Sequence, residues 1–167
     1  ATQLFTWIDA KYRSTPVAIH LFCGTGNNGG DGLALARLLH EQGYPIIVYV
    51  VRYHATPSAD FRINVERLQE RGVAPDYLTD KSVFPTLSAT DVVVDAIFGI
   101  GLNRPPEAWV ARLIAHINTA AAFVISVDMP SGLPVDRTPW AEAVIRANQV
   151  LTFQAPKLPF FLPQSKK

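Results

Sequence analysis

Short apolar runs alternate along the chain with stretches whose apolar residues recur every three or four positions, a pattern that predicts strands joined by helices. Val17–Phe22 is almost continuously apolar, as expected of a strand buried on both faces. It leads through Cys23–Gly32, read CGTGNNGGDG, into a helix capped by Asp31 and running to about Gln42, with Gly43 at C′. Leu35, Leu38, Leu39 and Gln42 mark the packed face of that helix. Ile46–Val51 predicts a second strand. Thr56-Pro57 predicts the cap and first position of a helix that carries Phe61, Val65 and Leu68 and stops at Gly72. Pro75–Thr79 fits a short edge strand, and Asp80–Ala89 a short helix or turn.

The second half repeats the alternation. Asp91–Phe98 predicts a strand interrupted by Asp95, and Gly99–Pro106 a loop. Trp109, Leu113, Ile114 and Ile117 stripe a helix, followed by a strand at Phe123–Asp128 and a turn at Met129–Gly132. Trp140–Ala147 reads as a last helix leading to an extended piece, Val150–Phe153. At the start, Leu4, Trp7 and Ile8 share a helical face that reads as the tail of a longer helix; the apolar Pro156–Pro163 reads as a cut end. This order predicts βαβ units around a mostly parallel sheet, with right-handed crossovers placing helices on both faces: an α/β fold. No repeat, low-complexity tract or linker divides the 167 residues, so 1–167 is expected to form a single domain.

Composition narrows the function classes. Content of 49% apolar and 17% charged residues suits a compact soluble domain. A net charge of +1 without a Lys/Arg stripe argues against nucleic acid as a partner. No apolar stretch approaches the ~20 residues that span a bilayer, so no membrane partner and a cytoplasmic location are expected. The single cysteine excludes an intrachain disulfide framework and a Cys-based zinc site; Cys23 is expected to be a small buried hydrophobe. His20, His40, His54 and His116 are scattered over different elements and suit structural or solvated roles.

Ligands of open parallel sheets bind outside the carboxyl ends of the strands. Polar residues gather at three such ends: Asn27, Asn28 and Asp31; Asp95 with Asn103 and Arg104; and Asp128 with Ser131. Gly24–Gly29 matches G-x-G-x-x-G, but the acidic residue expected after the second strand is replaced by Arg52-Tyr53-His54, and no Lys-Ser/Thr follows the glycines as in a P-loop. Each group also has a purely structural explanation. Asn and Gly tolerate positive φ, Asp31 can cap a helix, backbone N–H groups can satisfy Asp95, and Asp128 can shape a turn.

Three segments in order, GTGNNGGDGLALARLL at 24–39, VVVDAIFGIGLNRP at 92–105 and VISVDMPSGL at 124–133, resemble the NAD(P)H-hydrate epimerases, also called the YjeF N-terminal domain. The resemblance covers nearly the whole chain. It implies a Rossmann-like three-layer α/β/α sandwich, a homodimer, and interconversion of the R and S hydrates of NADH and NADPH (NAD(P)HX). It implies that Asn27, Asn28, Gly29, Gly30 and Asp31, together with Gly99, Ile100, Gly101, Leu102, Asn103, Arg104 and Pro105, bind the hydrated dinucleotide, with Asp128 also in contact. It further implies a potassium ion (K+) held by Asn28, Asp95 and Ser131, and oxygen ligands suit a hard cation. Asp128 is the candidate catalytic residue, exchanging protons and stabilising a cation on the nicotinamide ring. Some relatives carry Lys near position 103, where this chain has Asn103 and Arg104. Many bacterial members continue into a hydrate dehydratase domain, so a fused or separate dehydratase is an expected partner. The alternatives are a non-catalytic dimerising module of the same type, and an NADP-linked oxidoreductase in which Arg52 reads a 2′-phosphate.

Overall fold

A computed structural model of the chain describes residues 1–15, 17–53, 56–101, 105–134 and 143–153. In chain order the elements are α1 (Thr2–Tyr12), β1 (Ile19–Gly24), α2 (Asn27–Glu41), β2 (Ile46–Val51) and α3 (Ala59–Gln69), then β3 (Asp76–Leu78), β4 (Val92–Ala96), α4 (Ala108–Thr119), β5 (Phe123–Val127) and β6 (Gln149–Leu151). The six strands form one sheet in the order β3-β2-β1-β4-β5-β6, and every pairing is parallel. The chain therefore starts mid-sheet at β1, winds to one edge, and returns to lay β4 on the other side of β1. The carboxyl ends of β1 and β4 flank this reversal.

Alternate strand residues face opposite sides, and each side has its own core. On one, Ile19, Leu21, Cys23, Val48, Val50, Val94 and Val127 pack with Leu4, Ile8 and Tyr12 of α1, Leu33, Leu35, Ala36 and Leu39 of α2, and Phe61, Val65 and Leu68 of α3. On the other, Phe22, Tyr49, Val51, Val93 and Val124 pack with Trp109, Val110, Leu113, Ile114 and Ile117 of α4. The result is the expected three-layer α/β/α sandwich. Among the described residues no helix is long and apolar enough to cross a membrane.

Several local expectations change. Asp31 does not cap α2: the helix starts four residues earlier, at Asn27, with Gly26 in the cap position. The Asn and Gly residues that favour turns are drawn into helix by tertiary contacts, because the Asn28 side chain is tied to the carbonyls of Phe98 and Val127. Since α2 ends at Glu41, Gln42 is exposed and Leu38 only half-buried; the packed face runs through Leu33, Leu35, Ala36 and Leu39. Gly43 takes the positive φ expected of it. Ser58, rather than Thr56, caps α3, its Oγ accepting from the N–H of Phe61 at 3.1 Å. Asp80–Ala89 is turn and irregular chain.

Within the stretch read as a final helix, residues 140–142 lie outside the described residues and 143–147 are not helical. Their backbone is engaged by neighbouring elements: the N–H of Ile145 donates to the carbonyl of Ser131, and the Asn118 side chain brackets Val144 and Arg146. β6 then ends at Leu151, ahead of Thr152 and Phe153. At the chain start, α1 buries Leu4, Ile8, Asp9 and Tyr12, while Trp7 is half-buried.

Candidate functional site

Of the polar residues expected at the strand ends, Asn28, Asp95 and Ser131 converge at the carboxyl ends of β1, β4 and β5. Asp95, the one charged residue of β4, is completely buried. It pairs in register with Ser126 of β5, whose Oγ donates to Asp95 Oδ2 at 2.8 Å. The backbone N–H of Ser131 donates to the same oxygen at 2.8 Å, while the Ser131 hydroxyl and the N–H of Ile97 donate to Oδ1. Burial pushes the carboxyl of Asp95 above the usual carboxylate range, opposed by these donors from Ser131, Ser126 and Ile97. No cationic side chain among the described residues forms an ion pair with it.

Asn28 joins the same network from the first turn of α2. Its Nδ2 donates to the carbonyls of Phe98 at 2.8 Å and Val127 at 3.2 Å. Ser131 Oγ accepts from the N–H of Phe98 at 2.8 Å. Asn28, Asp95 and Ser131 are therefore knit together through the β4 turn, and the atoms gathered there are a carboxylate, a hydroxyl, an amide and two carbonyl oxygens. Such a set offers hard oxygen ligands around a buried carboxylate without a cationic partner, so the residues present fit a monovalent or divalent hard cation better than a soft one. Among the described residues no cluster of three or more His, Cys, Asp or Glu could hold a metal by itself.

The glycines explain how the backbones approach so closely. A Cβ on Gly29 would lie 1.7 Å from the carbonyl oxygen of Gly24, so only glycine lets the start of α2 seat against the end of β1. Gly132 combines φ +91° with a Cβ position 1.6 Å from the carbonyl oxygen of Ala143. Gly99 abuts the Asn28 side chain, whereas Gly101 faces open space and Ile100 and Pro105 are exposed. Leu102, Asn103 and Arg104 lie outside the described residues.

Asp128 occupies the turn after β5 with φ +64°, in the left-handed region that non-glycine residues seldom enter. Its N–H donates to the carbonyl of Leu151, and its Oδ1 accepts from Thr152 Oγ1 and the N–H of Phe153. Asp31, one turn into α2, is more open. Burial raises its carboxyl above the ordinary value, the amine of Ala1 opposes this, and the carboxylates of Asp60 and Asp128 add to the rise.

Ser126 and the Phe98 carbonyl join the network of Asn28, Asp95 and Ser131 without having been singled out from the sequence. Ser126 carried a signal, a polar residue interrupting an apolar strand as Asp95 does in the next strand. Tyr53 follows β2, its hydroxyl bonded to Thr25 and its ring edge-on to Phe98 at 4.6 Å. Cys23 is buried, and burial pushes its thiol up, the Asp95 carboxylate adding to the effect, as suits an inert core residue.

The sequence matches a known family over most of its length. The family described as YjeF-related protein N-terminus matches residues 1–159. A relative from Thermofilum pendens, named bifunctional NAD(P)H-hydrate repair enzyme Nnr, is 38% identical over 146 residues, which are 86% of this chain and 28% of the relative. A protein of the same name from Coxiella burnetii is 38% identical over 141 residues, covering 83% of the chain and 28% of that protein. A Limosilactobacillus fermentum protein named NAD(P)H-hydrate epimerase is 35% identical over 148 residues, 87% of this chain and 68% of its own length. The chain thus spans little more than a quarter of the bifunctional relatives.

Proposed function

We propose a function from one premise: the chain belongs to the family of YjeF-related protein N-termini. Its activity is epimerisation of hydrated NADH and NADPH, interconverting the R and S forms in repair of nicotinamide cofactors. Relatives named NAD(P)H-hydrate epimerase support this reading, as does the word repair in the names of the bifunctional ones. The observation that carries it is Asp128, a buried carboxylate pinned by Thr152 and Phe153 in the turn after β5.

The chemistry needs little more than a positioned carboxylate. The hydrated ring carbon bears a hydroxyl and adjoins the ring nitrogen, so protonation of the hydroxyl and loss of water leave a cation delocalised onto that nitrogen. Asp128 delivers the proton, and its carboxylate then faces the positive ring. Water returns to the opposite face and surrenders a proton to Asp128, restoring the neutral hydrate with inverted configuration. Asn27–Asp31 and the loop Gly99–Pro105 hold the rest of the dinucleotide, with the start of α2 offering its backbone N–H groups to phosphate. Asn28, Asp95 and Ser131 hold a potassium ion, which when bound supplies a fixed positive charge balancing the buried carboxylate. The chain acts as a homodimer, with a hydrate dehydratase, fused or separate, consuming one epimer.

Incubating the chain with one purified epimer and following the other by chiral separation tests the reading, with potassium and sodium salts compared. Interconversion that is faster in potassium is expected. Equal rates in the two salts overturn the potassium assignment, and no interconversion in either overturns the activity.

A further inference from the structure

The order β3-β2-β1-β4-β5-β6 assigns the two halves of a bound dinucleotide to different sides of the sheet. In a sheet of this order the ligand crosses at the reversal between β1 and β4, with its pyrophosphate at the start of the helix after β1. Asp95 and Asp128 lie at the ends of β4 and β5, so the nicotinamide end belongs on that side. The adenosine end then falls over β1 and β2. There an acidic residue would accept the ribose 2′-hydroxyl, whereas an arginine accommodates a 2′-phosphate.

This chain places Arg52 at that point, the first residue after β2. Its backbone is fixed, because the N–H of Arg52 donates to the carbonyl of Leu78 at 3.0 Å and so extends the pairing of β2 with β3. The guanidinium carbon sits 5.8 Å from the centre of the Tyr77 ring, within cation–π range. The residue is exposed, and among the described residues it forms no ion pair. The neighbouring Tyr53 packs over Gly24 and Phe98.

We infer that Arg52 binds the 2′-phosphate of the adenosine ribose and makes the chain prefer the hydrate of NADPH over that of NADH. The inference rests on the proposed epimerase activity for its substrate, and on the sheet order and the placement of Arg52 for its geometry. A guanidinium matches a phosphate monoester with paired N–H donors, which the 2′-hydroxyl of NADH hydrate cannot replace.

The test measures kcat/KM for both hydrates with the unaltered chain, Arg52→Ala, Arg52→Lys and Arg67→Ala. The unaltered chain is expected to favour NADPH hydrate. Arg52→Ala lowers the ratio of the two kcat/KM values by about ten- to a hundredfold, as loss of a charge-assisted contact predicts. Arg52→Lys restores part of the ratio, since it keeps the charge without the planar fork, and Arg67→Ala, at the far end of α3, leaves the ratio in place. Equilibrium binding of 2′-phospho-ADP-ribose and ADP-ribose supplies a second readout that needs no turnover. If both hydrates react and the ratio is unmoved by Arg52→Ala, the assignment of Arg52 is overturned while the activity stands. If neither hydrate reacts, the activity is overturned, and a lost preference for 2′-phospho-ADP-ribose in Arg52→Ala still supports the phosphate contact; an unchanged preference overturns it.

Discussion

Asp128 shows how one backbone conformation separates two roles. With φ +64° the residue sits where L side chains are strained, at a cost of about 1 kcal/mol or more. Asn tolerates that region nearly as well as Asp, so Asp128→Asn keeps the turn and removes only the charge and the proton. Epimerisation by Asp128→Asn is expected to fall about 10²–10⁴-fold, the usual range for losing a general acid–base group. The thermal midpoint should stay close to the parent's, and an unchanged rate would remove Asp128 from the chemistry. Asp95 tests the opposite case, a carboxylate whose oxygens are taken up by four donors from Ser126, Ser131 and Ile97. In Asp95→Asn the new amide N–H₂ faces groups that are themselves donors, so one or more are left unpaired in a dry site. Urea denaturation should register a loss of about 1–3 kcal/mol.

At the scale of elements, α2 carries the most information. The motif CGTGNNGGDG predicts a glycine loop, yet most of its residues form the end of β1 and the first turns of α2, where they pack against neighbouring backbone. Gly29 is required by the carbonyl of Gly24. In Gly29→Ala the Cβ, 1.7 Å from that oxygen, must push α2 off β1, and a loss of about 1–3 kcal/mol is expected in urea, with weaker binding of ADP-ribose as Asn28 moves. Ser58→Ala, which removes the cap of α3, should cost about 1 kcal/mol and leave ADP-ribose binding alone. The two caps also show what the sequence could tell. Apolar runs such as Ile46–Val51 reveal strands because burial on both faces leaves no other pattern. Cap positions were misread at Asp31 and Thr56 because capping is local chemistry, weaker than the tertiary contacts of Asn28 that set where α2 begins. The network joining Asp95, Ser126 and Ser131 depends on strand register, which no single segment encodes.

Across the whole molecule the two ends of the sheet differ in kind. The carboxyl ends carry Asp95, Asp128 and the start of α2. Near the opposite end His20 ties β1 to its neighbours on both sides. Its Nδ1 lies 3.3 Å from the Tyr49 hydroxyl of β2 and its Nε2 3.4 Å from Asp91, which precedes β4. A neutral ring serves both, accepting from Tyr49 and donating toward Asp91. Burial holds His20 below the ordinary histidine pKa of 6.5, the Asp91 carboxylate opposing this only in part. The unfolded chain therefore takes up a proton at this residue before the folded one does. The contribution of His20 to stability is complete above 6.5 and is lost as pH falls from there through its lowered folded value. Urea midpoints of the parent should decline over that window, and those of His20→Gln, which keeps a polar side chain but cannot titrate, should decline less. Parallel declines in the two proteins would mean that other groups, and not the histidine joining β1, β2 and β4, set the acid limit of the fold.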